Sequence, residues 1–485
     1  MTRFSRLMIF AAAVSILSSP ISAQLVGGVV GQVTGTVNNT VGGAVGGLSS
    51  GGRDGGAPAG GLLSGTFGGL RSTSGGLLGA PGSVLGSSPG ALSGVVGRGD
   101  AAGFVTSQLN QLAVPPEISS APPQAIANYR LARLEALVNA NRNTLALDPA
   151  GQPVRKSELI STNPDPISLS LAVRAGFRII GDEHDAALGL RLVTLAIPRK
   201  MNVRQALVAI RRAAPALPID YNHIYEPSGG ALLPVAGARL AAAPAIRTAT
   251  RIAMIDGGIA AHASLARASI EQRGFAGEPQ PTAHGTAVGS LLVGDQGPFR
   301  GAVRGAQLYV GDVYGGNPAA GSATSILRAL NWAASKNPAV INISLVGPNN
   351  GALAGAIAAL RARGIQIVAA VGNDGPAAPP QYPASYPGVI AVTGVDAVGR
   401  ALPEAGRSAH LDFAAPGADM VAAAPGEGFA LVRGTSFAAP LAAARLAVTG
   451  SYQRLALEAR PGTGRVGHGI VCVQCRIDPK VLRRR

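Results

Sequence analysis

Downstream of Arg251 the chain sets short, continuous apolar runs against segments whose apolar residues recur at helical spacing. The runs are IAMI (252–255), QLYVGDV (307–313), VINISL (340–345), IQIVAAVG (365–372) and VIAVTGV (389–395). Between and after them stand TAVGSLLVG (286–294), ATSILRALNWAAS (323–335), ALAGAIAALRARG (352–364) and SFAAPLAAARLAV (436–448). Runs without apolar–polar alternation predict strands buried on both faces, and the helical segments between them supply the cover. The pattern therefore predicts an α/β unit with a parallel central sheet and helices on both faces. In such sheets, functional residues gather at the carboxyl ends of the strands.

A different rhythm precedes this unit. QAIANYRLARLEALVNANRN (124–143) carries apolar residues at helical spacing with Arg and Glu between them, which predicts a helix. There follow an extended KSELIST (156–162), a helix ISLSLAVRAG (167–176), strands FRIIG (177–181) and LRLVTLAIP (190–198), a helix VRQALVAIRRAAP (203–215) and an extended IDYNHIYEP (219–227). The order β-α-β-β-α-β reads as a small α+β, ferredoxin-like module. From Gln24 to about Gly99, Gly dominates with Val, Leu and Ser, as in VGGAVGGLSSGG. Ordering so much Gly is entropically costly and no aromatic cluster offsets it, so a flexible spacer is expected. A self-associating surface arm is the alternative, because Val and Leu are scattered through it.

These shifts divide the chain into a signal peptide (1–23), a Gly/Ser-rich segment (24–115), a helix plus α+β module (116–225), a linker (226–245), the α/β unit (246–475) and a basic tail (476–485). Arg3 and Arg6, the apolar run Leu7–Leu17 and Ile21-Ser22-Ala23 have the layout of a cleavable export signal. The run is shorter than the roughly 20 residues of a spanning helix, so no stable membrane insertion is expected after cleavage. A secreted or periplasmic location follows.

The formal charge of +16 invites a nucleic-acid reading, but of the 41 Lys and Arg only Lys156, Lys200, Lys336 and Lys480 are Lys. With Ala and Gly abundant, that skew resembles coding bias; no nucleic-acid motif and no alternation of Arg with aromatics supports such a partner. Cys472 and Cys475, in CVQC, are the two cysteines of the chain. In an exported protein they suit a small-loop disulfide, whereas zinc would need ligands that do not lie nearby.

Four polar residues stand where the pattern puts chemistry. Asp256 follows IAMI in AMIDGGI, at the carboxyl edge of the predicted sheet. His284, in AHGTAVG, opens a small-residue helix that lets an imidazole approach its neighbours closely. Ser436, in RGTSFAAP, opens another helix; Thr435 or Ser436 is a good N-cap, and Pro440 suits a first turn. A helix start also aims backbone N–H groups and a positive dipole end at developing negative charge. Asn373 lies in AAVGNDG after the strand IQIVAA, a sequence that would equally form a turn.

AMIDGGI, AHGTAVG, AAVGNDG and RGTSFAAP, in that order, resemble the motifs of the subtilisin-like serine peptidases, over about Ala241 to Val471. INISL, YPASYPGVIAVTGVD, DFAAPG and GHGIV add to the likeness. The resemblance implies a serine endopeptidase in which Ser436 is the nucleophile, His284 the general base and then acid, Asp256 the group that orients the imidazole, and Asn373 the oxyanion-hole amide. A hydroxyl is a weak nucleophile and needs such a base. Loss of one oxyanion donor costs about 10²–10³-fold in turnover, a magnitude known from a subtilisin. Protein or peptide substrates are implied and no cofactor for the chemistry; structural calcium is frequent in the family, but no calcium loop is legible here.

Two departures stand out. Gly257 occupies a position where the family usually has Thr or Ser, which predicts a less firmly oriented Asp256. SLVGPNN replaces the common SLGG along the substrate edge. The α+β module resembles the family's inhibitory propeptide by pattern and position, implying a zymogen that cuts itself between about Pro227 and Thr250; the alternative is a permanent accessory domain. Two other functions compete: a surface or matrix protein using the peptidase fold as scaffold, and a processing protease of narrow specificity.

Overall fold

The computed structural model describes residues 121–235, 248–426 and 428–482. The expected signal peptide and Gly/Ser-rich segment lie outside the described residues, as do positions 236–245 of the expected linker.

Helix α1 (Pro123–Ala140) opens with Pro in its first turn, where a missing N–H costs nothing. The module that follows runs β1 (Leu145–Leu147), β2 (Pro153–Thr162), α2 (Pro166–Arg174), β3 (Arg178–Asp185), β4 (Leu190–Ala196), α3 (Val203–Ala213) and β5 (Ile219–His223). Its helices begin where the side chains dictate. The Asp165 carboxylate accepts the Ser168 N–H, and Asn202 with Gln205 forms a reciprocal capping box. The strands pair antiparallel in the order β1-β2-β4-β3, with β5 also on β2; β2 to β5 with α2 and α3 make the β-α-β-β-α-β arrangement expected, and β1 is an additional edge strand. Val154, Leu159, Phe177, Val193, Leu195 and Ile210 form the buried core between sheet and helices.

The described part of the segment expected as a linker, 226–235, contains two strands. β6 (Glu226–Pro227) pairs antiparallel with a strand of the larger unit, β14 (Leu345–Val346), and β7 (Gly230–Val235) pairs antiparallel with another, β19 (Phe429–Arg433). Its composition reads as loop because the hydrogen-bond partners that make it extended lie more than a hundred residues away.

The larger unit contains β8 (Arg251–Asp256), β9 (Ser269–Gly274), α4 (Ala283–Val293), the hairpin β10 (Asp295–Gln296) and β11 (Phe299–Arg300), β12 (Gln307–Asp312), α5 (Ala323–Ser335), β13 (Val340–Ile343), then β14. It continues with α6 (Gly351–Ala362), β15 (Gln366–Ala370), β16 (Ile390–Val395), β17 (Phe413–Pro416), β18 (Met420–Ala423), β19, α7 (Thr435–Thr449) and α8 (Tyr452–Leu457). Seven strands form one parallel sheet in the order β17-β16-β15-β13-β8-β12-β9. Along β8, Ile252 and Met254 enter one buried cluster while Ala253 and Ile255 enter the cluster on the opposite face. Both faces are therefore covered, as continuous apolar strands require. The edge strands β9 and β17 escape the sequence pattern: SIEQRG is largely polar and FAAP very short.

Residues 476–482 of the expected basic tail pack onto the larger unit. Ile477 and Leu482 are buried in the cluster around α7, because those two apolar side chains outweigh the exposed charges between them. Cys472 and Cys475 are disulfide-bonded. Among the described residues no helix is long and apolar enough to cross a membrane, and no group of three or more His, Cys, Asp or Glu is placed to hold a metal ion.

Candidate active site

The carboxyl edge of the parallel sheet assembles Asp256, His284, Ser436 and Asn373. Asp256 ends β8 and lies in register with Asp312 at the end of β12. His284 sits in the first turn of α4, which starts where the Thr282 hydroxyl accepts the Gly285 N–H at 2.9 Å. His284 Nδ1 is 2.8 Å from Asp256 Oδ1 and Nε2 is 2.9 Å from Ser436 Oγ. One tautomer serves both contacts: Nδ1–H donates to the carboxylate, and Nε2 accepts from the hydroxyl. All three side chains are buried.

Asp256 is held from its own backbone side as well. Its Oδ1 accepts the Gly257 N–H at 2.6 Å, while Oδ2 is buried with no hydrogen bond from a described residue. The Gly257 N–H restrains Oδ1, while Oδ2 keeps no partner among the described residues, where the expected hydroxyl is missing. A Cβ at Gly257 would overlap Thr282 Oγ1 and stand 2.7 Å from Thr282 Cγ2. The space that a larger residue would use is filled by the capping threonine of α4.

The two carboxylates at the strand ends differ in surroundings. Burial pushes the Asp312 carboxyl up from its ordinary value, opposed by N–H donation from Gln280, Tyr314 and Gly315, with a further upward push from Asp256. The Tyr314 phenol is raised well above its usual range by burial and then by Asp256.

Around Ser436 the structure overturns the capping expectation. Neither Thr435 nor Ser436 caps α7; its N-cap is Gly434, without a side-chain hydrogen bond. The Thr435 hydroxyl instead donates to the Gly372 carbonyl and accepts the Gly372 N–H, both at 3.1 Å. Asn373 Oδ1 accepts the Thr435 N–H at 3.0 Å. The start of α7 is thus tied to the loop after β15, and the Ser436 N–H donates into the cleft. Nor is Pro440 in the first turn. It lies inside α7, where its missing N–H leaves the Ser436 carbonyl without a helical partner. The Ser344 hydroxyl donates to that carbonyl at 3.0 Å, and receives in turn the Asn342 amide at 2.9 Å. Sequence reasoning did not single out Ser344, although its position between two apolar strand residues in INISL is a legible signal.

The chain itself occupies the cleft. Ser228 carbonyl oxygen accepts from Asn373 Nδ2 at 2.5 Å and from the Ser436 N–H at 3.1 Å. The Ser228 N–H donates to Ser344 O at 3.2 Å, and the Tyr225 N–H to Gly321 O at 2.7 Å. Tyr225 is fully buried; its hydroxyl donates to Pro348 O at 2.8 Å. A Cβ at Gly347, within the divergent SLVGPNN, would stand 2.6 Å from Tyr225 Cε1, so the missing side chain makes room for the phenol ring. The residues from Tyr225 to Val235 therefore lie extended across the cleft, paired through β6 on one side of Gly229 and through β7 on the other.

The model of the Subtilase family matches residues 247–459. Over 200 residues the chain is 34% identical to Subtilisin Savinase of Lederbergia lenta, a stretch covering 39% of this chain and 72% of that protein. It is likewise 34% identical over 200 residues to an alkaline protease of Alkalihalobacillus alcalophilus, covering 39% of this chain and 51%, about half, of that one. Among solved structures, fervidolysin from Fervidobacterium pennivorans, described as a keratinolytic enzyme related to subtilisin, aligns with a TM-score of 0.57 at 18% identity. That alignment covers 68% of this chain and 62% of that one, a likeness of fold alone.

Proposed function

The chain belongs to the subtilase family of serine endopeptidases, and from that premise we propose that it is exported as a zymogen that cuts itself between Ser228 and Gly229. The observation that carries this reading is the Ser228 carbonyl, whose oxygen accepts from both the Asn373 amide and the Ser436 N–H. These are the donors an oxyanion needs, and they meet a carbonyl of the chain itself.

In the proposed reaction Ser436 Oγ bonds to the Ser228 carbonyl carbon while its proton passes to His284 Nε2. The electron pair displaced onto oxygen is held by Asn373 Nδ2 and the Ser436 N–H. Asp256, through Oδ1, keeps the imidazole oriented and stabilises its positive charge. On collapse the bond to the Gly229 nitrogen breaks and His284 Nε2–H supplies the proton to that leaving amine. Water, deprotonated by His284, then releases Ser228 as a carboxylate and restores the Ser436 hydroxyl. Nothing in this sequence calls for a cofactor. After the cut, protein or peptide segments entering as Tyr225 to Gly230 do would be hydrolysed in the same way.

Support for a zymogen comes from the pairing of β6 and β7 with β14 and β19, which fills both sides of the cleft with the chain's own segment. Export rests on the signal-like first residues. The test is N-terminal sequencing of the product after export, alongside labelling by a fluorophosphonate probe. A mature start at Gly229 and labelling that disappears in Ser436→Ala are expected. A full-length product that never starts at Gly229 refutes self-processing, and equal labelling of both proteins refutes Ser436 as nucleophile. A processed chain that cleaves no added unfolded protein would point to the narrow processing role.

A further inference from the structure

Helix α1 lies outside the β-α-β-β-α-β module, yet it reaches the cleft through two arginines. Arg133 Nη2 is 2.9 Å from Glu226 Oε2 and 3.3 Å from Asp374 Oδ1. Arg130 Nε is 2.8 Å from Asp374 Oδ2, and Arg130 Nη2 donates to Gln152 Oε1 at 2.7 Å. The side chains of Arg130, Glu226 and Asp374 retain 5%, 6% and 4% exposure, and that of Arg133 12%. The cluster is neutral as it stands, two cations on two anions. Its members come from three places with different fates. Glu226 is the third residue on the acyl side of the Ser228–Gly229 bond; Asp374 directly follows the oxyanion donor Asn373; Arg130 and Arg133 stand upstream of that bond on the same covalent piece as Glu226.

One guanidinium therefore separates two carboxylates that would otherwise face each other across a largely desolvated gap on the order of 6 Å, where like charges repel strongly. Resting on the proposed cut at Ser228–Gly229, we infer that Asp374 is the specificity-determining residue for the third residue before the scissile bond, and that Arg133 masks it in the zymogen. The first, intramolecular cut takes an acidic residue at that position because Arg133 lies between. Once the upstream piece departs it takes both arginines with it, while Asp374 remains. The cleft is then left with a carboxylate whose ion-pair partners among the described residues have gone, and a substrate cation can occupy the place of the Arg133 guanidinium. Peptides with Arg or Lys at the third residue before the bond are the class this subsite takes, and those with Glu or Asp are disfavoured. Arg133 is thus a positioning residue acting through Glu226, and it makes the specificity of the first cut the reverse of that of later ones.

The test compares charge order rather than a single loss. In the full-length chain, self-cleavage is timed for Glu226 and for Glu226→Arg, each with Arg133 present and with Arg133→Ala. Glu226 is expected to be cut about 10-fold faster than Glu226→Arg when Arg133 is present, and slower when it is not. A merely structural role for Arg133 would slow both without reversing them. Peptides provide a second arm that needs no variant to fold. The chain that has processed itself is given Tyr-Arg-Pro-Ser-Gly-Gly and Tyr-Glu-Pro-Ser-Gly-Gly, and kcat/KM for the Arg peptide is expected to exceed that for the Glu peptide by about 10-fold at low salt. The advantage should shrink in Asp374→Asn. Equal rates for the two peptides, or one charge order in both Arg133 backgrounds, overturns the inference alone. No Ser436-dependent cut at Ser228–Gly229 in any protein overturns the self-processing reading and this one with it.

Discussion

Gly229 is where the proposed self-cleavage is most exposed to a single methyl group. Its φ is +152°, a backbone region essentially reserved to glycine. A Cβ built there overlaps Ser436 Oγ, stands 3.0 Å from Phe437 Cε2 and lies 3.4 Å from the Arg433 carbonyl. Gly229→Ala therefore meets two obstacles at the same bond. Holding an L residue in this conformation costs about 1–3 kcal/mol, equivalent to about 5- to 150-fold in population. Relieving the overlap pushes nucleophile and carbonyl apart, and a displacement of about 1 Å at reacting atoms costs about 10²-fold. The two relax together rather than add, so a slowing of about 10²-fold is expected for the cut at Ser228–Gly229. The assay is a time course of full-length chain by gel and intact mass, with N-terminal sequencing of the product. Gly355→Ala is the control, since a Cβ there on α6 meets nothing within 4 Å. Processing of Gly229→Ala at the control's rate and at the same bond would refute the assignment of Gly229 to the leaving side.

Asn373→Asp keeps an oxygen to accept the Thr435 N–H but loses the Nδ2 donor to Ser228; it should slow self-cleavage by about 10²–10³-fold with little change in thermal midpoint, and an undiminished rate would remove Asn373 from the oxyanion site. Gly257→Ser should destabilise the chain by overlap with Thr282, and combining it with Thr282→Ala, which alone loses a cap worth about 1 kcal/mol, should cost at least about 0.5 kcal/mol less than the two singles together; strict additivity in denaturant titrations of the Ser436→Ala background would show that the two do not share space. Burial alone would raise the Asp148 carboxyl, but hydrogen bonds from His223, Gln152 and Ala150 hold it below its ordinary value of 3.8. A depressed carboxylate contributes stability that is present above that ordinary value and lost as pH falls through the lower folded one. The upstream module should therefore loosen below about pH 4, with a shallower acid dependence of its thermal midpoint in Asp148→Asn; identical pH profiles would refute the role of Asp148.

Much of the catalytic unit is legible in the sequence because its signals are local. The strands buried on both faces are continuous apolar runs, and Asp256, His284, Asn373 and Ser436 each follow a strand or open a helix in a short motif. Less legible are features whose cause is distant. Thr435 and Ser436 read as caps, yet their hydrogen bonds go to Gly372 and to the cleft. β6 read only as the end of an extended stretch and β7 as linker, because a two-residue or Gly-containing strand carries no periodicity of its own, and their pairing comes from β14 and β19.

By itself the sequence determined the class of chemistry, since residue type and local motif decide which atoms can act as nucleophile, base and donor. It also determined the α/β layering, which follows from which runs must leave water. Only the tertiary structure decided which bond of the chain lies against Ser436, because that depends on where an upstream strand lands on the edges of a sheet encoded far downstream. It alone decided that Thr282 fills the space beside Gly257, and that Arg133 stands between Glu226 and Asp374. Contacts between residues tens to hundreds of positions apart leave no mark in the spacing of either partner, and close packing is what brings them together.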